Sequence, residues 1–376
     1  MDRYDAIVVG LGGAGSAAAY HLALAGLRTI GIEQFGTVHV HGSSHGRSRI
    51  FRTAYSEGPI YVPMVQRAQQ LWYALQERSH ERIIQRTGGL IIGGTDTRLV
   101  GGALRTATVC GLRHELLDPD AVRARFPQFA LREDEVAVWD PDAGALVPEN
   151  CIGAHSRGAV EAGAELHYGE RVRRWAVLGD SVRVETTRSE YRGDALVITA
   201  GPWTATVALD LDLPLVIERQ FMLWFPSVDR RSTAPERMPV FLWDRPPDFE
   251  TYGVPDFGDG VKVGSWSGAT ARSPEEVDRA FRPQDAEPIR RFVSASLRGV
   301  SPREVDVTSC LYTNAPDHHF LIGRHPSYAR VLVVSACSGH GFKFASVVGE
   351  IVTRLVLRQE PQFDLSPFDP ARFAER

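Results

Sequence analysis

The chain has 376 residues, of which 43% are hydrophobic and 23% are charged. These are the proportions of a globular protein, so they exclude a disordered, collagen-like or coiled-coil chain, and the length suggests two domains or one large domain with an insertion. The formal net charge of −4 lacks the basic excess of a nucleic-acid-binding protein. No apolar run reaches the roughly 18 residues of a membrane span. We therefore expect neither a nucleic-acid nor a membrane partner.

The first predicted elements are a strand, a turn, a helix and a second strand. Residues 5–10 form an apolar run that predicts a buried strand, and residues 16–25 are strong helix formers that Gly26 ends. Residues 28–32 predict another strand, which is followed by Glu33. The N-terminus enters this pattern directly and lacks the features of a signal peptide.

Residues 39–48 are rich in Gly, Ser and His and predict a loop, and residues 62–78 have apolar positions at helical spacing. The remaining predicted elements are strands at 89–93, 171–184, 195–199, 220–225, 261–266 and 331–335, and helices at 150–163 and 344–357.

Signals of a nucleotide-binding fold thus occur at the start, in the middle and at the end of the chain. We predict an α/β (α+β) fold in which a Rossmann-type domain takes residues 1–80, 146–214 and 316–376. A substrate domain, built on a mostly antiparallel sheet, is inserted as residues 81–145 and 215–315.

The turn after the first strand carries Gly10-x-Gly12-x-x-Gly15, and Glu33 lies eighteen residues beyond Gly15. In this context Gly10 allows a tight turn, Gly12 lets a pyrophosphate approach the backbone, and Gly15 lets the helix pack on the strand. Glu33 is placed to accept hydrogen bonds from a ribose diol, and its charge disfavours the 2′-phosphate of NADP. A second glycine fingerprint is missing, which leaves a flavoprotein with one nucleotide site or an NAD enzyme.

Cysteine and lysine usage is sparse. Cys110, Cys151, Cys310 and Cys337 are scattered, which predicts free thiols, a reducing compartment and hence a cytoplasmic location, with no cysteine-based zinc site. Adjacent His318 and His319 point apart in an extended segment, so we expect no metal there.

Lys262 and Lys343 are the only lysines among 42 basic residues. Codon bias explains such a ratio, but so does retention of lysine where a compact ammonium is needed.

Four further segments carry a family resemblance. Residues 42–58, 200–203, 309–313 and 338–344, together with the glycine turn, resemble monomeric sarcosine oxidase and N-methyltryptophan oxidase over nearly the whole chain. These enzymes are the branch of the D-amino-acid-oxidase-like flavoproteins that carries covalent FAD.

The resemblance implies that FAD is attached through its 8α position to the sulfur of Cys310. The other residues it implies for FAD binding are Gly10, Gly12, Gly15, Glu33, Ser43, Ser44, Gly201, Gly339, His340, Gly341 and Lys343.

The resemblance also implies roles in catalysis. Lys262 matches the lysine thought to activate oxygen, and His45 and Arg49 match residues beside the flavin ring. Arg52 and Lys343 match the site that binds the substrate carboxylate.

For Arg52 the alternative is a structural ion pair with Glu57. The resemblance further implies that Tyr252 and Tyr312 are active-site tyrosines of the substrate-binding site.

One position departs from the family pattern. Trp266 stands where sarcosine oxidases carry a histidine that faces the substrate, and we expect Trp243 to lie nearby. Tryptophan in place of histidine at position 266, with Trp243 nearby, favours a larger or more apolar substrate than sarcosine.

The sequence therefore predicts an FAD-dependent oxidase of secondary (N-methyl or cyclic) amino acids, which forms an imine and reduces O2 to H2O2. Its partners are the small-molecule amine and O2, and we expect a monomer, although no sequence feature reports the oligomeric state. Open alternatives are a dehydrogenase with a non-oxygen acceptor, a biosynthetic oxidase of a cyclic imino acid, and a flavin-binding protein without turnover.

Overall fold

The computed structural model describes residues 3–245, 249–266 and 268–373. The strands within them are β1 (Arg3–Val9), β2 (Thr29–Ile32), β3 (Arg49–Phe51), β4 (Ile84–Arg86), β5 (Gly89–Gly93), β6 (Glu115–Leu117), β7 (Val136–Asp140), β8 (Gly144–Leu146), β9 (Glu165–His167), β10 (Val172–Leu178), β11 (Ser181–Thr186), β12 (Glu190–Ile198), β13 (Val216–Phe225), β14 (Val240–Arg245), β15 (Phe249–Val254), β16 (Val261–Ser265), β17 (Thr270–Ala271), β18 (Asp306–Asn314), β19 (Leu321–Arg324) and β20 (Val331–Ser335). The α-helices are α1 (Gly13–Leu24), α2 (Tyr61–Ser79), α3 (Arg98–Val109), α4 (Pro119–Arg125), α5 (Pro148–Glu161), α6 (Thr204–Val207), α7 (Arg230–Thr233), α8 (Pro283–Ser296) and α9 (Ala345–Val356).

The first sheet has the order β10-β11-β12-β1-β2-β9, and β20 also pairs with β12 and carries β19 at its edge. β1 runs parallel to β2 and β12, as expected for a strand–helix–strand unit. Both faces of β1 are buried, because Ala6 and Val8 pack beneath the helices while Ile7 and Val9 enter a core on the other side. This is the predicted nucleotide-binding sheet.

The second sheet has the order β17-β13-β16-β15-β14-β5-β7-β6, with β18 beside β13. Its pairs are antiparallel except for β14 with β5. On one face, alternate residues such as Leu223, Phe241 and Val263 pack in a core that includes Phe292 of α8. The other face carries the intervening residues, some of which, such as Leu242 and Tyr252, border the candidate site.

The expectation that Trp243 lies at the substrate pocket is wrong. Its side chain is fully buried in the core of the second sheet, where its indole N–H donates to Glu135 Oε1 at 2.9 Å. Leu242 lines the pocket instead. The reason is the two-residue period of a strand, which sends neighbouring side chains to opposite faces.

A third, small sheet consists of β3, β8 and β4. β3 contacts β15 of the second sheet and the short 3-10 helix Phe342–Phe344 that precedes α9. It therefore carries the segment from Arg49 to Arg52 into the space between the two sheets. Among the described helices, none is both long and apolar enough to cross a membrane.

Candidate active site

The turn between β1 and α1 is shaped for a dinucleotide. A Cβ on Gly15 would lie 1.7 Å from the Gly10 carbonyl oxygen, and Gly10, at φ +89°, packs against the backbone of Thr199. A Cβ on Gly12 would meet nothing nearer than Ser44 Oγ at 3.6 Å. The first two contacts require glycine for packing, whereas Gly12 leaves the N-terminus of α1 open to an approaching phosphate.

Glu33 follows β2 and is held in position by the backbone. Its Oε2 accepts from the Leu11 N–H at 2.8 Å, and its Oε1 accepts from the Phe35 N–H at 3.0 Å. His39 Nε2 lies 3.6 Å from Oε1. The carboxylate is buried but borders the cavity, so its free lone pairs are available to a ribose diol.

A single cavity of about 550 Å³ joins this turn to the second sheet. It is lined at one end by Gly12 and Glu33 and at the other by Arg52 and Trp266. Ser43 borders it, and its hydroxyl is a buried group without a hydrogen-bond partner among the described residues. An open glycine, a fixed carboxylate and an unpaired hydroxyl along one elongated cavity fit FAD.

The far end of the cavity is aromatic. Leu242, Tyr252 and Gly264 lie opposite one another in β14, β15 and β16, so their side chains share one face of the sheet. The rings of Tyr252 and Trp266 are 5.4 Å apart, and a Cβ on Gly264 would lie 2.6 Å from the Tyr252 ring. Tyr312 completes this wall from β18.

Arg52 borders the same end and is nearly fully buried. Its Nη2 lies 2.8 Å from both carboxylate oxygens of Glu57, and its guanidinium carbon lies 4.3 Å from the centre of the Tyr55 ring. Burial disfavours the charged form of Glu57, but Arg52, together with smaller contributions from His340 and Lys343, outweighs burial and lowers the pKa of this carboxyl to about 2. The structural ion pair considered from the sequence is therefore present.

Lys343 lies beside the same tyrosine. Its Nζ donates to the His340 carbonyl at 2.7 Å and is 5.2 Å from the centre of the Tyr55 ring. Burial, followed by the repulsion of Arg52, lowers the pKa of Lys343 well below its ordinary value. Two buried basic side chains thus share one end of the cavity, where an anionic group would favour the charged form of Lys343.

His340, predicted to bind the cofactor, borders the cavity but has both ring nitrogens engaged. Its Nδ1 is 2.5 Å from Tyr55 Oη and its Nε2 is 3.0 Å from the His318 carbonyl. Burial lowers the pKa of His340 to about 4, so its ring is neutral at pH 7. The ring therefore anchors Tyr55, while Gly201, Gly339 and Gly341 border the cavity through their backbones.

Arg49 separates the cavity from a second layer of predicted residues. Its Nη2 donates to the Ser43 carbonyl at 2.8 Å and lies 3.4 Å from Cys310 Sγ. Lys262 Nζ donates to the carbonyls of Ser48 at 2.5 Å and Gly46 at 3.2 Å. Cys310 and Lys262 are thus one layer behind the cavity wall.

His45 is also buried in this layer, and neither of its ring nitrogens has a hydrogen-bond partner among the described residues. Burial and then Arg49 lower the pKa of His45 to about 3. Burial raises the pKa of the Cys310 thiol, and Arg49 opposes this rise. The four cysteines are all free thiols, and the described residues contain no cluster of ligands for a metal ion.

Comparison with known proteins identifies the family. The sequence profile of the FAD-dependent oxidoreductases matches residues 5–355. The chain belongs to this family. It is 40% identical to monomeric sarcosine oxidase from Streptomyces avermitilis, over 99% of this chain and 98% of that protein. It is 34% identical to N-methyl-L-tryptophan oxidase from Citrobacter koseri, over 99% of this chain and 100% of that protein. The resemblance drawn from the sequence motifs is confirmed.

Solved structures of other proteins share the fold. NikD, described as an unusual amino acid oxidase essential for nikkomycin biosynthesis, superposes with a TM-score of 0.88 at 24% identity, covering 98% of each chain. Glycine oxidase from Geobacillus kaustophilus gives 0.83 at 20% identity, covering 99% of each chain. The predicted fold class is confirmed, and the chain is an FAD-dependent oxidoreductase.

Sequence reasoning missed several residues that line the cavity of this oxidoreductase. Leu242 could have been found from strand alternation once its neighbour was assigned to the core. Cys337 and Phe342 flank the glycines of the last motif and border the cavity. Residues 171–175 border the Glu33 end, and they carry no motif that could have revealed them.

Proposed function

We propose that the protein oxidises a secondary amino acid, N-methylated or cyclic, to the imine and passes the two electrons to O2, which leaves as H2O2. The observation that carries this proposal is the pair of buried basic side chains, Arg52 and Lys343, at the aromatic end of a dinucleotide-shaped cavity. A carboxylate is the anion that an arginine fork binds with two parallel hydrogen bonds.

Arg52 is already paired with Glu57 where the substrate carboxylate is proposed to bind. Glu57 occupies both N–H groups of Arg52 Nη2, so a carboxylate that binds through this nitrogen must share or displace Glu57. Lys343 needs no exchange of an acidic partner, because its Nζ donates to a backbone carbonyl. The substrate amine is proposed to bind unprotonated, so that no general base is needed to remove a proton from nitrogen.

FAD, when bound, would take up the two electrons and the hydrogen of the C–H bond next to nitrogen, and would pass the electrons on to oxygen. Tyr252, Tyr312 and Trp266 hold the substrate and exclude water from the reacting carbon. Lys262 supplies a fixed positive charge toward the site where negative charge develops on oxygen. Cys310 would hold the cofactor covalently, and Arg49 and His45 would lie beside its ring system.

Trp266 sets the substrate size. Its indole packs against Tyr252, so this wall of the cavity is an apolar surface. Such a surface favours a secondary amino acid with a ring or a large side chain over sarcosine, by about 1–3 kcal/mol per added contact.

We further propose the domain division predicted from the sequence, a cytoplasmic location and a monomeric state. The strands of the first sheet fall within 1–80, 146–214 and 316–376, and those of the second sheet within 81–145 and 215–315, which supports the division.

The test is a panel of secondary amino acids, scored by anaerobic bleaching of the yellow enzyme and then by peroxide release on admitting oxygen. We expect bulky or cyclic amines to bleach the enzyme fastest, and Trp266→His to move the preference toward sarcosine. Sarcosine as the best substrate of the unaltered enzyme would contradict the role of Trp266. Bleaching without peroxide would contradict the oxidase assignment.

A further inference from the structure

Lys262 is bound by a turn rather than by an acidic side chain. Its Nζ donates to the carbonyls of Gly46 and Ser48, and the Ser48 N–H in turn donates to the Gly46 carbonyl at 2.7 Å. Gly46 and Arg47 both have positive φ, at +97° and +63°. A non-glycine residue in this region persists only where its surroundings hold it there, so the turn needs an external restraint.

Glu149 supplies that restraint. It lies in the first turn of α5, and its Oε1 accepts from the Gly46 N–H at 2.7 Å and from the Arg47 N–H at 3.0 Å. Two successive N–H groups thus converge on one carboxylate oxygen, as in an anion-binding nest. The restraint acts directly on the segment whose carbonyls bind Lys262.

The second oxygen of Glu149 points to an electrostatic role. Oε2 is buried and has no hydrogen-bond partner among the described residues, although a carboxylate oxygen is costly to leave unpaired. The charged and titratable groups that act on Lys262 are Arg49 and Arg47, which disfavour its ammonium, and Glu149 and Cys310, which favour it when ionised. The Trp224 ring lies 5.9 Å from Nζ, and Arg47 is itself paired with Asp306.

We propose that Glu149 is a positioning residue that acts through Lys262: it fixes the turn that binds the ammonium and provides its negative counter-charge. This inference rests on the proposed function for the oxygen role of Lys262. The link between Glu149 and Lys262 stands on the turn geometry itself.

The low lysine content gives a direct test. Lys262 and Lys343 are the only lysines, so lysine labelled with ¹³C at Cε gives two NMR resonances in the oxidised holoenzyme, which Lys343→Arg assigns. Glu149→Gln retains an acceptor for the turn but removes the charge. We expect it to lower the titration midpoint of Lys262 by about one pH unit or more and to leave Lys343 unchanged.

Glu57→Gln is the matched control, because Glu57 favours the charged form of Lys343. It should lower the midpoint of Lys343 and leave that of Lys262 in place. An unchanged Lys262 midpoint in Glu149→Gln, or equal movement of both lysines, would overturn the proposal. The titration uses no amine, so a wrong substrate assignment does not affect it.

Rapid mixing adds a second readout. Glu149→Gln should slow the reaction of reduced enzyme with oxygen more than it slows reduction of the enzyme by the amine. It should also lower the pH above which the oxygen reaction declines, by the same interval as the Lys262 midpoint. Glu149→Ala, which also removes the acceptor for Gly46 and Arg47, should slow the oxygen reaction further. Equal slowing of both half-reactions in Glu149→Gln would show that Glu149 does not act through Lys262.

Discussion

Arg52 and Glu57 meet in a buried pair at the point where a substrate carboxylate is expected. Removing the guanidinium would leave Glu57 buried without its main partner, which is more disruptive than removing the pair. Arg52→Lys keeps the positive charge and loses only the planar fork, so it isolates the geometric contribution.

We predict that Arg52→Lys weakens binding of the amino acid by about 1.5–3 kcal/mol, or roughly tenfold to over a hundredfold, because a charge-assisted bidentate contact is lost. Binding is measured by anaerobic titration of the flavin spectrum. The methyl ester of the same amino acid is the control, since it lacks the anion and should react poorly with both proteins. An ester that reacts as well as the acid would contradict the carboxylate site.

We predict that FAD is attached to Cys310. Arg49 Nη2 lies 3.4 Å from its sulfur and favours the thiolate that forms the bond, against the effect of burial. After acid precipitation the yellow colour should stay in the pellet for the unaltered protein and for Cys337→Ser, and be lost from the pellet for Cys310→Ala. Colour in the supernatant of fully loaded, unaltered protein would disprove the attachment.

At the scale of elements, α1 packs closely against α5 and α9 because small residues line the contacts. A Cβ on Gly349 would lie 2.5 Å from the Ala17 carbonyl oxygen, and one on Gly158 would lie 2.6 Å from the Tyr20 ring. His21 lies in this packing, 6.4 Å from the His155 ring, with Glu350 and Arg67 as its charged neighbours. Burial lowers the pKa of His21 to about 4.

We predict an acid-sensitive helix layer. Because the folded state keeps His21 neutral, the unfolded chain binds the proton first, so stability is full above the ordinary pKa of 6.5 and is lost as the pH falls toward about 4. This group contributes at most about 3 kcal/mol to that loss. Urea unfolding of the unaltered protein and of His21→Gln between about pH 7 and pH 4.5 measures it. An identical pH dependence in both proteins would exclude His21 as a source.

At the scale of the whole molecule, the cavity is bordered by both large sheets and by the small sheet between them. A ligand in this cavity therefore joins parts of the chain that are far apart in sequence. Its binding free energy adds to the stability of the folded state as a whole.

We predict that the Cys310→Ala variant, in which FAD binding is reversible, unfolds at a temperature that rises with FAD concentration. The gain is about 2.7 kcal/mol when free FAD is a hundred times its dissociation constant. Adding Glu33→Gln should weaken this dependence, because the carboxylate that Leu11 and Phe35 hold toward the cavity loses its charge. A melting temperature that does not change with FAD concentration would contradict the assignment of this cavity as the FAD site.

The sequence by itself determined the dinucleotide turn, its acid and the family. These depend on local rules: Gly10, Gly12 and Gly15 act within one turn, Glu33 ends the next strand, and the motifs around Arg52, Cys310 and Lys343 are contiguous. The helices at 62–78 and 344–357 were predictable for the same reason, since their apolar period is local. The structure has them as Tyr61–Ser79 and Ala345–Val356.

Only the tertiary structure decided which side chains share a face and which charges meet. The register of β14 against β15 sent Trp243 into the core and Leu242 to the cavity. The contact between Glu149 and the turn at Gly46 joins residues 103 positions apart, and no local pattern reports it. Burial, which lowers the pKa of Lys262 and of Lys343, depends on packing from several segments. The side chains that share a face and the side chains that are buried are decided only when the sheets assemble. The sequence therefore identifies the chemical groups of the site, and the fold determines how they are arranged.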